Sequence, residues 1–307
     1  RGEILMNTKQ LRNTLLLMGC SFIWGTAFVA QSVGGGYMGA YTFLAGRSWL
    51  ACVFLLGLMG ARRANQRRKG VRVPFFLQRK TLVIGGLCCG TALFAASVAQ
   101  QMGIPGTTTA KAGFLTALYV VLVPVCGIFA GKKPGVKLCC CVAASVVGLY
   151  LLCMAGHDSL SLSGSEWLLL LCALLFTGQI LLVNHFSPKL DGIQLSFVQF
   201  LVVSVLSTVG MFLFEQPTVQ QFRDAAVSIL YCGIMSSGVA YTLQIEGQKD
   251  LDPTIASLAM CLESVFSALA GWLILHQTLT PTELTGCALM FAAIVASQLP
   301  EKKRVQS

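Results

Sequence analysis

The stretch SLAMCLESVF, Ser257 to Phe266, holds one carboxylate, Glu263, and no other Asp, Glu, Lys or Arg lies between Asp252 and Glu283. Two cations are isolated in the same way, Arg47 in FLAGRSWL and Lys111 in TTTAKAGFL. A carboxylate among apolar residues can exchange a proton, touch a solute or tie two helices by a hydrogen bond, because burial favours its neutral form unless a partner holds the charge. For Glu263 both the functional and the tying roles stand open. For Arg47 the favoured reading is a structural pair with a carboxylate, lining a cavity being the alternative. Lys111 is expected to snorkel its ammonium towards the nearer membrane surface.

Uncharged polar residues recur at helical spacing in the same apolar stretches. Gly233, Ser237, Tyr241, Gln244 and Gln248 form one stripe, and Ser21, Trp24, Gly25, Phe28 and Gln31 form another. Ser97 aligns with Gln100 and Gln101, and Thr177 with Asn184 seven residues on. Such stripes serve either as glue between helices or as the wall of a wet cavity. The cavity is favoured, with Trp24, Gln31, Gln101, Asn184, Ser237, Tyr241, Gln244 and Glu263 as its expected lining.

Several chemistries lack their residues. His157, His185 and His276 show no metal-ligand spacing, so neither metal nor cofactor is expected. No G-x-S-x-G elbow occurs and no histidine pair can act as base, so no catalytic residue is assigned and an intramembrane enzyme is a weak alternative. GGGYMG, Gly34 to Gly39, matches a dinucleotide fingerprint only formally, because apolar helices and not a strand flank it. The thirteen cysteines lie mostly in apolar runs such as LCCCV and read as small packing residues. A net charge of +10 comes without an aromatic-interleaved basic face, so nucleic acid is not an expected partner.

The elements that must position these residues are membrane helices. In 307 residues, 55% are hydrophobic and 11% charged, and the mean hydropathy is +0.73, far from a soluble domain's composition. Ten apolar runs approach the length that crosses a bilayer: 14–33, 39–60, 81–102, 107–131, 136–155, 166–186, 192–214, 225–245, 253–275 and 282–299. The first reads as a retained helix, and Met6 as a natural start. The fold class is therefore all-α and polytopic. Of the 22 Lys and Arg, 19 fall at the two ends or in the gaps after the even runs, which predicts both termini in the cytoplasm. Glu263 then lies about 15 Å deep, near the midplane, and Arg47 about 12 Å from the outer end of its run.

The chain also echoes itself. At an offset of 144 residues, Gly113 to Pro134 aligns with Ser257 to Thr278 and sets Leu118–Tyr119 against Leu262–Glu263, which adds Tyr119 to the expected lining. Gly25 aligns with Gly178 between the first and sixth runs. Two halves follow, 14–155 and 166–299, each of five helices, and an odd number makes the second half enter the membrane inverted.

These stretches resemble a known family. FIWGTAFVAQ, FLAGRSWL and TTTAKAGFLTALYVVLVPV in the first half, with GIMSSGVAYTLQIEGQK and IASLAMCLESVFSALAGWLILHQTLTP in the second, are similar to the EamA-type repeat of the drug/metabolite transporter superfamily. The resemblance implies a ten-helix carrier of amino acids, other metabolites or drugs in a bacterial cytoplasmic membrane. Proline commonly follows that family's ninth-helix glutamate, whereas Ser264 stands here. The expected function is a secondary transporter working by alternating access, with export and proton coupling open. A channel-like facilitator is the alternative, without the filter loops or charge rings that would favour it. Partners are a small-molecule substrate and membrane lipid; the oligomeric state is left open.

Overall fold

In the computed structural model the described residues are 8–69, 78–129, 131, 135–153, 163–276, 278 and 280–298. His157, Lys132 and Lys133, the far ends of both expected halves and most of the terminal cations lie outside them. The first three apolar runs form α1 (Thr8–Gly35), α2 (Ala40–Arg68) and α3 (Arg79–Gly103). The fourth divides into α4 (Thr109–Ala117) and α5 (Tyr119–Phe129), and the fifth is α6 (Val136–Cys153). The sixth and seventh are α7 (Gly164–Phe186) and α8 (Gly192–Phe214), followed by a short surface helix α9 (Val219–Asp224). The eighth is composite: α10 (Ala226–Leu230), a π-helical stretch (Tyr231–Ala240), then α11 (Tyr241–Gln248). The ninth divides into α12 (Pro253–Met260) and α13 (Glu263–Leu275), and the tenth is α14 (Pro281–Gln298).

By length and apolarity eight of these units suffice to cross a membrane, among them α4 with α5, α10 through α11, and α12 with α13. The fifth and tenth runs give shorter apolar helices, Val136–Leu151 and Pro281–Ser297, which pack extensively against each other. The protein is a multi-pass, all-helical membrane protein, and its outward leucines, valines and phenylalanines are the surface lipid requires.

Three runs expected to be continuous helices are not. At the fourth, Leu118 takes φ −59°, ψ −12°, and its N–H reaches back three residues to the Leu115 carbonyl instead of four. At the ninth, Cys261 and Leu262 take the same geometry (ψ −11° and −14°). There the Ser264 N–H donates to the Cys261 carbonyl at 3.2 Å and its hydroxyl donates to the same oxygen at 2.7 Å. A serine hydroxyl competing for a nearby carbonyl is a known way to tighten and bend a helix. The offset of 144 residues carries one break onto the other, Leu118 onto Leu262.

Packing follows a regular scheme. Taking the runs in chain order, the main pairings are first with eighth and ninth, second with seventh and eighth, third with sixth and seventh, fourth with sixth and ninth, and fifth with tenth. Exchanging the first five runs for the last five maps this set of pairings onto itself. One contact sits directly on the ninth-run break: Gly25 of α1 lies against α13 so closely that a Cβ there would be 2.8 Å from the Glu263 carbonyl oxygen. Gly178, its partner in the sequence alignment, has nothing within 4 Å of such an atom. The N-terminus of α2 is capped from another helix: the Glu215 carboxylate, just past α8, accepts from the N–H groups of Tyr41 (3.0 Å) and Thr42 (2.8 Å).

Candidate functional site

The breaks, the π-helical stretch and the second half of α1 meet around one cavity. From α1 come Trp24, Phe28 and Gln31, at steps of four and three, so that one helix face lines the wall. Arg47 enters from α2 and Gln100 from α3. Thr116 stands one residue before the end of α4 and Tyr119 opens α5, on either side of the first break, while Glu263 opens α13 directly after the second. Phe176 and Ile180 come from α7, Ser236 from the π-helical stretch, and Tyr241 and Gln244 from α11.

Polar groups of this lining are only partly engaged. Arg47 is 2% exposed; one guanidinium nitrogen donates to the Gln31 side-chain oxygen at 2.9 Å, and its Nε has no partner. Glu263 is 4% exposed, and its Oε1 has no hydrogen-bond partner, nor does the Tyr119 hydroxyl or the Trp24 indole nitrogen. Tyr119 and Glu263 are nonetheless close enough to interact. Tyr241 stacks at a tilt on Trp24, centroids 4.7 Å apart, and meets Phe200 edge-on from behind at 5.2 Å. Gln244 exchanges amide hydrogen bonds with Gln179, at 3.0 and 3.4 Å. Buried polar atoms without partners are costly in an apolar interior, and those of Trp24, Arg47, Tyr119 and Glu263 lie in this lining.

Of the nine expected lining residues the cavity gathers six: Trp24, Gln31, Tyr119, Tyr241, Gln244 and Glu263. Three are elsewhere. Gln101 donates to the Gln31 backbone oxygen at 3.1 Å, and its neighbour Gln100 takes the cavity wall instead. Asn184 donates to the Leu251 carbonyl at 2.9 Å and so ties α7 to the segment before α12. Ser237 is fully buried away from the lining. The reason is helix type: the stripe through Ser237 assumes steps of three and four, but a π-helix bonds i to i+5 and so brings Ser236 into line with Tyr241. Phe176 and Ile180 carried no signal, being apolar residues in an apolar run.

The isolated cations also differ from expectation. Arg47 pairs with no carboxylate among the described residues and lines the cavity. Lys111 does not simply snorkel: it forms an ion pair with Glu166 in the first turn of α7. His185 lies beside Lys189 at 3.1 Å, and no cluster of metal-ligating residues occurs among the described residues.

The sequence profile of the EamA-like transporter family matches residues 12–154 and 164–297, nearly the whole chain. The chain belongs to the EamA-like transporter family. An uncharacterized transporter of Archaeoglobus fulgidus is 26% identical over 292 residues, which cover 95% of this chain and 87% of that protein. The uncharacterized transporter YoaV of Bacillus subtilis is 22% identical over 296 residues, covering 94% and 97%. A solved crystal structure at 17% identity superposes with a TM-score of 0.72 over 96% of this chain and 99% of its own, a likeness of fold. As an EamA-like transporter the protein is a multi-pass membrane transporter.

Proposed function

We propose that the chain is a secondary transporter that moves a small organic solute across the cytoplasmic membrane by alternating access around this cavity, with protons as the coupling ion through Glu263. In this reading all ten apolar helices cross, both termini are cytoplasmic, and the halves 14–155 and 166–299 are inverted repeats that rock against each other. The observation that carries it is the meeting of two broken helices at one cavity, with Glu263 and Tyr119 each the first residue after a break. Discontinuous helices near the midplane are where carriers of this architecture hold solute and coupling ion. The exchange pattern of helix pairings supports two related halves. Proton coupling is supported by Glu263 being buried, outside the ion pairs among the described residues and on the cavity wall.

The test uses the full chain in proteoliposomes loaded with a pH-sensitive dye and challenged with a panel of amino acids, nucleosides and cationic drugs. A carrier gives saturable solute flux with proton movement in the opposite direction. Glu263→Gln is expected to abolish the proton movement and to retain solute exchange between equally loaded compartments. Full pH-driven accumulation by that variant would sink the coupling, and unsaturable flux of every solute would sink the carrier.

A further inference from the structure

We infer that Arg47, steadied by Gln31, is a subsite for a carboxylate group of the transported solute. The inference rests on the carrier reading and deepens it by naming a chemical group the solute carries.

A guanidinium in the middle of a membrane protein is costly unless something opposes its charge. Here nothing in the described protein does. Arg47 is absent from every ion pair among the described residues, and its one side-chain hydrogen bond of good geometry is to a neutral amide oxygen, that of Gln31. The remaining neighbours are uncharged: the Phe43 ring lies 6.0 Å from the guanidinium carbon, and Cys232 and Tyr241 are close. Glu263 shares the cavity but forms no ion pair with Arg47, and Tyr241 lies in the same lining.

Arginine offers five N–H donors in a planar fork, and Gln31 uses one of them. The Nε donor is buried and unmatched, on a side chain that lines the cavity. A carboxylate is the group that meets such an edge with two parallel, charge-assisted hydrogen bonds. The lining has one guanidinium and no lysine or second arginine, which suits a single negative charge better than a phosphate dianion. The Gln31 backbone is held in turn by Gln101, whose amide donates to the Gln31 backbone oxygen at 3.1 Å.

The experiment titrates the purified full chain in lipid nanodiscs with matched probes, each a free acid and its methyl ester, drawn from aliphatic, aromatic and amine-bearing compounds, and reads stabilisation against heat. Free acids are expected to stabilise the protein and their esters not to. Arg47→Gln is expected to weaken acid binding by about tenfold or more, the scale of a lost charge-assisted pair. Gln31→Glu supplies an internal counter-ion, so it is expected to abolish acid binding while the melting temperature of the empty protein holds or rises. That second variant keeps the result readable if Arg47→Gln folds poorly. The subsite is overturned if esters bind as well as their acids, if Arg47→Gln binds acids like the parent, or if no acid in the panel stabilises the protein. Acid-selective binding without flux would remove the carrier reading and leave the subsite, whereas saturable flux of a neutral ester would do the reverse.

Discussion

Tyr119 and Glu263 are each the first residue after a break in a membrane helix, and they come together on one cavity wall, close enough to interact. Their separation in sequence is the same 144 residues that aligns the two halves. Tyr119→Phe removes a buried hydroxyl that lies close to the Glu263 carboxylate without meeting good hydrogen-bond geometry. Folding stability is expected to stay within about 1 kcal/mol of the parent or to rise, measured by unfolding in detergent, while solute flux falls. A large loss of stability would show the hydroxyl to be structural.

The contact between α1 and α13 makes an asymmetric expectation for two aligned glycines. Gly25→Ala must push the Phe266 and Glu263 backbone away and is expected to cost on the order of 1–3 kcal/mol, as overpacking does. Gly178→Ala meets nothing and is expected to be neutral or to gain up to about 1 kcal/mol of helix propensity. Melting temperatures of the two variants side by side decide the matter.

Ser264 occupies the second position of α13, where a missing N–H is tolerated. Ser264→Pro is therefore expected to fold and to keep the break, at a cost of about 1 kcal/mol for the two bonds to the Cys261 carbonyl. Ser267→Pro, one turn further on, also loses the hydroxyl's 2.7 Å bond to the Thr109 carbonyl, and is expected to cost about 3 kcal/mol or more. Equal yields of folded protein for both would contradict the assignment of where the helix restarts.

Glu215 holds the start of α2 from outside it. Glu215→Ala strips two backbone N–H groups and the Thr42 hydroxyl of their acceptor, with an expected loss of about 2 kcal/mol. Glu215→Gln, which keeps one acceptor oxygen, is expected to lose less. Hydrogen exchange at Tyr41 and Thr42 reports the effect locally, faster in the alanine variant.

Lys9 on α1 holds the exposed Asp250 carboxyl below the usual carboxylate range through a 2.8 Å ion pair. A depressed carboxyl contributes its share of stability at pH above its ordinary value and loses it as pH falls through the lowered one. Acidification is thus expected to loosen the 249–252 segment, and Lys9→Gln to weaken the pH dependence of its protease sensitivity in that range, Lys249 still acting on Asp250. Both positions are solvent-exposed, so the effect is local and weakened by salt.

The charged and aromatic parts of the site were legible in the sequence for a physical reason. A lone carboxylate in a long apolar run has few tolerable places, and Glu263 is in one of them. Trp24, Tyr241 and Gln244 were found because polar and aromatic residues at helical spacing are informative against leucine and valine. Ser236 was missed because the spacing rule assumes 3.6 residues per turn, and the chain uses a π-helix at that point. Gln100 and Gln101 are adjacent, and only packing against Gln31 decides which faces inward. Apolar Phe176 and Ile180 look like any lipid-facing pair until α7 is set against its neighbours. Hydropathy likewise marked ten runs without revealing that two are short and three interrupted.

The absence of a side chain at Gly25 has a mechanical meaning. With the α1 backbone seated directly on the α13 backbone beside Glu263, the contact joins the first half of the chain to the second with no side chain between them. Rocking of the two halves would therefore turn about this point.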